Sequence, residues 1–265
     1  MKTKIIPNSI ILTFDDGFSE CYSTVRPLLL KYEIPCIFFI TTDFIDNRNM
    51  FYRNKVSLCI EKIRSLDKLR IMDVICKINS TFEQCIRSPE SFIQWIKSLN
   101  SSDEDIINET CNILEIDFEQ YLITYKPYLT SENIRQLVTD GFTIGAHSKK
   151  HLKLNLLRNE DKIEEEIVDS CRKIMDLTGI KNVPFAFPFS GDGLDRAFLK
   201  NLLSKYKFVG LLFDLHGLRK DKDFIINRIW CESPSFSVNS KSKMRQILRR
   251  AYQYHFVGSV GGMLK

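Results

Sequence analysis

Residues 9–17 read SIILTFDDG, residues 21–34 read CYSTVRPLLLKYEI, and residues 35–41 read PCIFFIT. The first piece is a short apolar run rich in branched side chains, bounded by Asn8 and Asp15. That pattern is a buried strand. The second carries apolar residues at helical spacing, and the third is another apolar run opened by Pro35. Strand, helix, strand in this order predicts a parallel βαβ unit, because parallel neighbours need a long crossover. The junction itself is less decided. Asp15-Asp16-Gly17 is ordinary turn chemistry, since Asp bonds its own backbone and Gly accepts a positive φ. It is also a pair of carboxylates at the end of a strand, which is where α/β folds keep their chemistry.

Further along, the same alternation returns. TSENIRQLVTDG (130–141) is a capped helix stopped by glycine, and FTIGAHS (142–148) is a strand running into a loop. NEDKIEEEIVDSCRKIMDLTG (159–179) is an amphipathic helix with acidic residues early, Arg172 and Lys173 later, and Gly179 at its end. VPFAFPF is a strand, DRAFLKNLLSKY a helix, and KFVGLLFD and DFIINRIW two more strands. Between them, residues 47–128 change character. They hold several helical segments, and no glycine occurs between Gly17 and Gly141. We read one domain over residues 1–265, an α/β barrel or doubly wound sheet, with a mostly helical insertion at about 47–128. A basic helix is expected at about 240–256, in KSKMRQILRRAYQYHF.

Composition agrees with an ordinary globular chain of 265 residues, 44% hydrophobic and 27% charged. No apolar run approaches the ~20 residues that span a bilayer. The start, with Pro7, Asn8 and Ser9 interrupting its apolar stretch, reads as a first strand and not a signal peptide. Eight scattered cysteines without a C-x-x-C pair give no support to a Cys-based zinc site. They are expected as mostly buried thiols in a reducing cytoplasm. The net charge of +5 is modest and gives no nucleic-acid signature. The basic helix could meet a membrane surface or an anionic ligand, or be a solvated face.

Three of the four histidines fall at predicted strand ends: His147 and His151 after FTIGA, and His216 after GLLFD. Arg228 lies in the last strand. In HSKKH two imidazoles stand four residues apart. One Asp plus two His is a donor set for a borderline divalent cation, with a position left open for water. Two surface histidines near a helix start would look the same in sequence. The adjacent carboxylates favour the metal, because one can bind the cation while the other handles a proton.

TFDDG (13–17) with HSKKH (147–151) resembles the two leading motifs of the polysaccharide deacetylases, the NodB-homology esterases of carbohydrate esterase family 4. DGFTIGAHSKKHLKLNLL is similar to that family along its length, and EEEIVDSCRKIMDLTG followed by FAFPFSGDG resembles its next helix and third motif. The resemblance covers roughly residues 8–46 and 130–230. It implies a distorted (β/α) barrel of about seven strands and a metal-dependent hydrolase that removes an acetyl or similar acyl group from a sugar of a cell-surface glycan or its precursor. It implies Asp15 as catalytic base, Asp16, His147 and His151 as ligands of a divalent metal, most often Zn2+, and Ser148 as a supporting hydroxyl. Phe189 stands where the family has a Tyr whose backbone N–H helps bind the oxyanion, and His216 is placed as the general acid.

The chain also departs from the family pattern. The third motif, NVPFAFP, lacks its leading Arg, and Arg228 in INRIW resembles the Arg of a late strand in one branch. Ser190 replaces a Gly, and the fourth, Asp-Trp motif has no counterpart: Trp230 comes too late and is expected in the core. Asp214 is expected to pair with a nearby Lys or Arg, and Phe38, Phe39, Phe187 and Phe213 to be core. The implied partner is an acylated saccharide, with a lipid-linked or phosphorylated form suiting the basic segment. Two alternatives stay open: a metal amidase acting on a non-sugar amide, and an impaired barrel that only binds a glycan or partner.

Overall fold

The computed structural model describes residues 10–231 and 245–251. Residues 245–251 are helical, while the rest of the expected 240–256 helix, with His255, lies outside the described residues. The chain divides into two compact units. One comprises Met1–Asp16, Pro35–Thr42 and Gly141–Lys265; the other comprises Gly17–Ile34 and Asp43–Asp140. The second therefore takes in more than the expected 47–128 insertion.

The first unit is built on a sheet of six parallel strands in sequential order. They are β1 (Leu12–Phe14), β2 (Cys36–Ile40), β3 (Thr143–Ala146), β4 (Val183–Ala186), β5 (Val209–Asp214) and β6 (Ile225–Asn227). Six strands among the described residues is one fewer than the expected seven. The sheet is not flat. Six strands side by side would put β1 and β6 roughly 24 Å apart. Yet Arg228, one residue past β6, donates from Nη1 to Thr13 Oγ1 of β1 at 3.0 Å. The sheet is therefore curled into an incomplete barrel, and a side chain links its two edge strands.

Both faces of the middle strands are apolar, as a parallel sheet requires. Phe38, Phe39, Phe187 and Phe213 are all buried, as the sequence predicts. Ile37, Phe39, Ala186 and Phe213 make one cluster. Gly145 in β3 is required by close approach: a Cβ there would lie 2.5 Å from Phe39 Cδ1 and 2.7 Å from the Pro184 carbonyl oxygen. Trp230 is a correction. It lies beyond the end of β6, outside the sheet, and is 57% exposed.

The second unit is helical: α1 (Arg26–Lys31, continuing a π turn at Cys21–Val25), α2 (Tyr52–Ser65), α3 (Lys68–Phe82), α4 (Pro89–Ser98), α5 (Glu104–Ile113), α6 (Phe118–Tyr125) and α7 (Ser131–Thr139). Local signals start several of them. Asp67 accepts from the amides of Leu69 and Arg70, and Ser88 and Ser91 form a capping box just before and after Pro89. Caps of this kind contribute about 1 kcal/mol each. The core is apolar, drawn from α2 to α5, and includes Val56, Ile63, Ile78, Phe92, Ile96 and Ile107. Cys59 and Cys111 sit in it with sulfurs 3.5 Å apart. Five of the eight cysteines are buried, consistent with thiols used as small apolar groups.

The first unit adds α8 (Glu160–Thr178) and α9 (Arg196–Lys205). The Asn159 side chain caps α8, and Gly179 ends it at φ 74.

Candidate metal centre

The site is built at the carboxyl ends of β1, β3, β4, β5 and β6. Asp15 and Asp16 follow β1, and Asp16 is left-handed at φ 71. His147 follows β3; its amide donates to Ile40 O of β2 at 2.9 Å, which continues the sheet ladder into the loop. Ser148 (φ 60) and His151 (φ 58) are also left-handed, as is Phe189 (φ 61) after β4. Four non-glycine residues with positive φ around one site is a concentration of backbone strain, on the order of 1–3 kcal/mol each. The surrounding bonds must hold it. The Ser148 hydroxyl accepts from the His151 amide at 2.9 Å, and Thr42 N donates to Ser148 O at 3.1 Å. The turn reading of Asp15-Asp16-Gly17 is thus correct as conformation, and the turn is what presents the two carboxylates.

The two aspartates have different partners. Asp16 Oδ1 lies 3.0 Å from His151 Nε2 and 3.4 Å from His147 Nε2. Asp15 faces Arg228 in a bidentate pair, Nη1 to Oδ1 at 2.6 Å and Nη2 to Oδ2 at 2.9 Å. Asp15 Oδ2 is farther from His147 Nε2, at 3.9 Å. The Arg228 guanidinium also stacks over the Phe39 ring, 5.1 Å from its centroid.

The donor set fits a divalent cation. One carboxylate oxygen and one nitrogen from each imidazole lie within 4.8 Å of one another. Their closest approaches, 3.0 and 3.4 Å, bracket the ~3.3 Å spacing of ligands held ~2.0–2.1 Å from a tetrahedral ion. The His147 tautomer is set as well. Nδ1 lies 2.9 Å from the Ala186 carbonyl oxygen, which can only accept, so Nδ1 carries a proton and Nε2 is the nitrogen turned toward Asp16. Nε2 meets that carboxylate through its own proton as imidazolium, or gives its lone pair to a cation held between them.

The electrostatics agree. Burial opposes charge on Asp16, but hydrogen bonds to His147 and His151 outweigh it and hold the carboxyl far below its usual range. Burial also works against charge on His147, but the Asp15 charge and the Asp16 bond prevail and push its pKa up. At His151 burial wins and the pKa falls, leaving the neutral ring that a metal needs. The pocket attracts positive charge, and a divalent cation meets that demand.

His216 belongs to a neighbouring cluster. Its Nε2 lies 3.1 Å from Ser190 Oγ, 3.1 Å from Asp192 Oδ1 and 3.4 Å from Asp214 Oδ2. Asp214 is fully buried and accepts from the amides of Gly191 and Leu215. Its expected partner, a Lys or Arg, is thus replaced by two amides and a histidine. Ser and both Asp meet the same ring nitrogen, so this is not a serine-hydrolase relay, in which the base uses one nitrogen for each partner. The cluster adjoins the metal group through Phe189, whose ring packs edge-on against His151 at 5.0 Å. The structure therefore brings Asp15, Asp16, His147, His151 and Arg228 together, with the Phe189 ring against His151, while His216 meets Ser190, Asp192 and Asp214. Sequence reasoning overlooked Asp214 and Ser190 as neighbours of His216, although the position of Asp214 at the end of β5 was signal enough to consider it.

A curled parallel sheet with an Asp-His-His cluster at its strand ends defines an incomplete-barrel protein whose strand ends carry a donor set suited to a divalent cation. The polysaccharide deacetylase family model matches residues 2–211, and the chain belongs to that family. No curated protein matches it. Among solved structures, IcaB from Ammonifex degensii is similar at 17% identity and a TM-score of 0.52, over 93% of this chain and 74% of that one. A de-N-acetylase from Aggregatibacter actinomycetemcomitans follows at 14% identity and 0.50, over 92% and 77%. The deacetylase PplD from Streptococcus pyogenes matches at 12% and 0.44 over 78% of this chain, which spans 57% of PplD.

Proposed function

We propose that the protein is a metal-dependent deacetylase that hydrolyses an acetyl group from a sugar of a cell-surface glycan or its precursor. The observation that carries this reading is the division between the two aspartates: Asp16 faces both imidazoles, and Asp15 faces Arg228. Asp16, His147 and His151 would hold the cation, with Zn2+ suited to one oxygen and two nitrogen donors. When bound, the cation would polarise the acetyl carbonyl and acidify water.

The remaining steps belong to the chain. Asp15 accepts the proton of the attacking water, and Arg228 fixes its two oxygens so that they point into the site. This gives the missing Arg of the third motif a substitute from just past β6, which argues against an impaired barrel. The Phe189 backbone amide donates to the developing oxyanion. His216 returns a proton to the departing amine or alkoxide, so that acetate and the free sugar leave. Ser190 and Asp214 hold its ring. A lipid-linked or phosphorylated saccharide belongs to this reading, suited to the basic 241–256 segment, and a cytoplasmic location is proposed with it.

The test is acetate release from acetylated hexosamine oligomers. Activity should vanish on chelation and return with Zn2+. Acetate release that chelation leaves intact would overturn the proposal.

A further inference from the structure

We infer that Glu166 is a positioning residue of the metal centre: its buried carboxylate fixes the loop that carries His147 and His151. The inference rests on the reading of Asp16, His147 and His151 as metal ligands. Glu166 lies on α8 and is 5% exposed. A single oxygen, Oε2, accepts from the backbone amides of Lys149 at 2.9 Å and Lys150 at 3.0 Å. These two residues are the middle of HSKKH, between the two imidazoles.

The loop needs such a clamp. It contains two left-handed residues, Ser148 and His151, which an isolated chain would relax. At its first end, Thr42 N donates to Ser148 O, and the Thr41 hydroxyl donates to His147 O at 3.3 Å. The Ser148 hydroxyl ties its far end through the His151 amide. The middle is held by Glu166. Without an acceptor there, two amide donors lose a charge-assisted partner, and the spacing of the imidazoles is no longer fixed. Lys149 Nζ pairs with Glu165 and Asp169, while the Lys149 and Lys150 amides both point to the Glu166 carboxylate. A residue that orients ligands in this way typically changes metal affinity 10–100-fold when it is lost.

The test measures Zn2+ affinity by competition with a chromophoric chelator, alongside thermal unfolding. Glu166→Leu, which keeps the bulk and removes the acceptor, should weaken Zn2+ binding at least tenfold. Glu166→Gln keeps a neutral acceptor oxygen and should weaken it about threefold. Ile167→Ala, in the same buried stretch of α8, should lower the unfolding temperature and leave affinity at the wild-type value. Wild-type affinity in Glu166→Leu, or an equal loss in Ile167→Ala, would overturn the inference. If Glu166→Leu does not fold, Glu166→Gln decides, and unchanged affinity in it overturns the inference. A wild-type protein that binds no Zn2+ would overturn the metal reading and this inference with it.

Discussion

Arg228 and Asp15 come from opposite edges of the sheet and meet through two parallel hydrogen bonds, 2.6 and 2.9 Å long. The Arg228 side chain is only 9% exposed. One pair thus does two things: it bridges the first and last strands, and it orients a carboxylate at the site.

Replacing Arg228 should separate these effects. Arg228→Lys keeps the charge but cannot form the planar fork. We expect kcat to fall about tenfold in Arg228→Lys and about a hundredfold in Arg228→Met, with metal content unchanged. Arg228→Met should also lose about 1–3 kcal/mol of stability in urea unfolding, because Asp15 is left without its cation. Wild-type kcat in Arg228→Met would remove the orienting role.

Gly145 tests the packing beside the site. Gly145→Ala would drive a methyl against the Phe39 ring and the Pro184 carbonyl. Overpacking of this kind costs about 1–3 kcal/mol. Unfolding temperature should drop by several degrees, and Zn2+ affinity should fall too, because His147 is two residues on. An unchanged unfolding temperature would mean that the strands separate at no cost.

The helical unit has its own pH response. Arg26 holds Asp140 in a bidentate pair, through Nε and through Nη2 at 3.0 Å to Oδ1. The Arg26 guanidinium lowers the Asp140 pKa below its ordinary value. A depressed folded-state pKa means that the pair contributes fully above the unfolded value of about 3.9 and is lost as pH falls through the folded one. Arg26→Met should therefore be less stable than wild type by about 1–2 kcal/mol at pH 7, and the gap should close below about pH 4. A gap that persisted at pH 2 would show that packing, and not charge, connects the two residues.

Much of the site was legible in the sequence because strand ends are easy to locate. A branched apolar run followed by Asp15-Asp16-Gly17, and another followed by His147, mark the same edge of a parallel sheet. Strand-end position, the four-residue spacing of HSKKH and the resemblance to the deacetylase motifs together grouped Asp16 with the histidines. Arg228 was readable through the resemblance of INRIW to a late family strand, although it lies one residue past the end of β6. What escaped were contacts that no periodicity encodes. Glu166 is one of three consecutive glutamates, and only the fold shows which of them turns inward. Asp214 and Ser190 lie 24 positions apart and meet at His216 because β4 and β5 are neighbours. Trp230 was misplaced because a large aromatic was assumed to be core, whereas β6 ends three residues earlier. The helical unit reaches beyond residues 47–128 through contacts such as Phe18 with Tyr128, which stack at 5.5 Å and which no sequence pattern encodes.

The division of labour between the adjacent aspartates is the central claim, and paired measurements on Asp15→Asn and Asp16→Asn test it most directly. Metal content after dialysis against Zn2+ and acetate release should be read on the same samples. Asp15→Asn should keep one Zn2+ per chain and lose acetate release by at least a hundredfold. Asp16→Asn should lose both the metal and the activity. Acetate release at the wild-type rate by Asp15→Asn, or wild-type metal content in Asp16→Asn, would contradict the account.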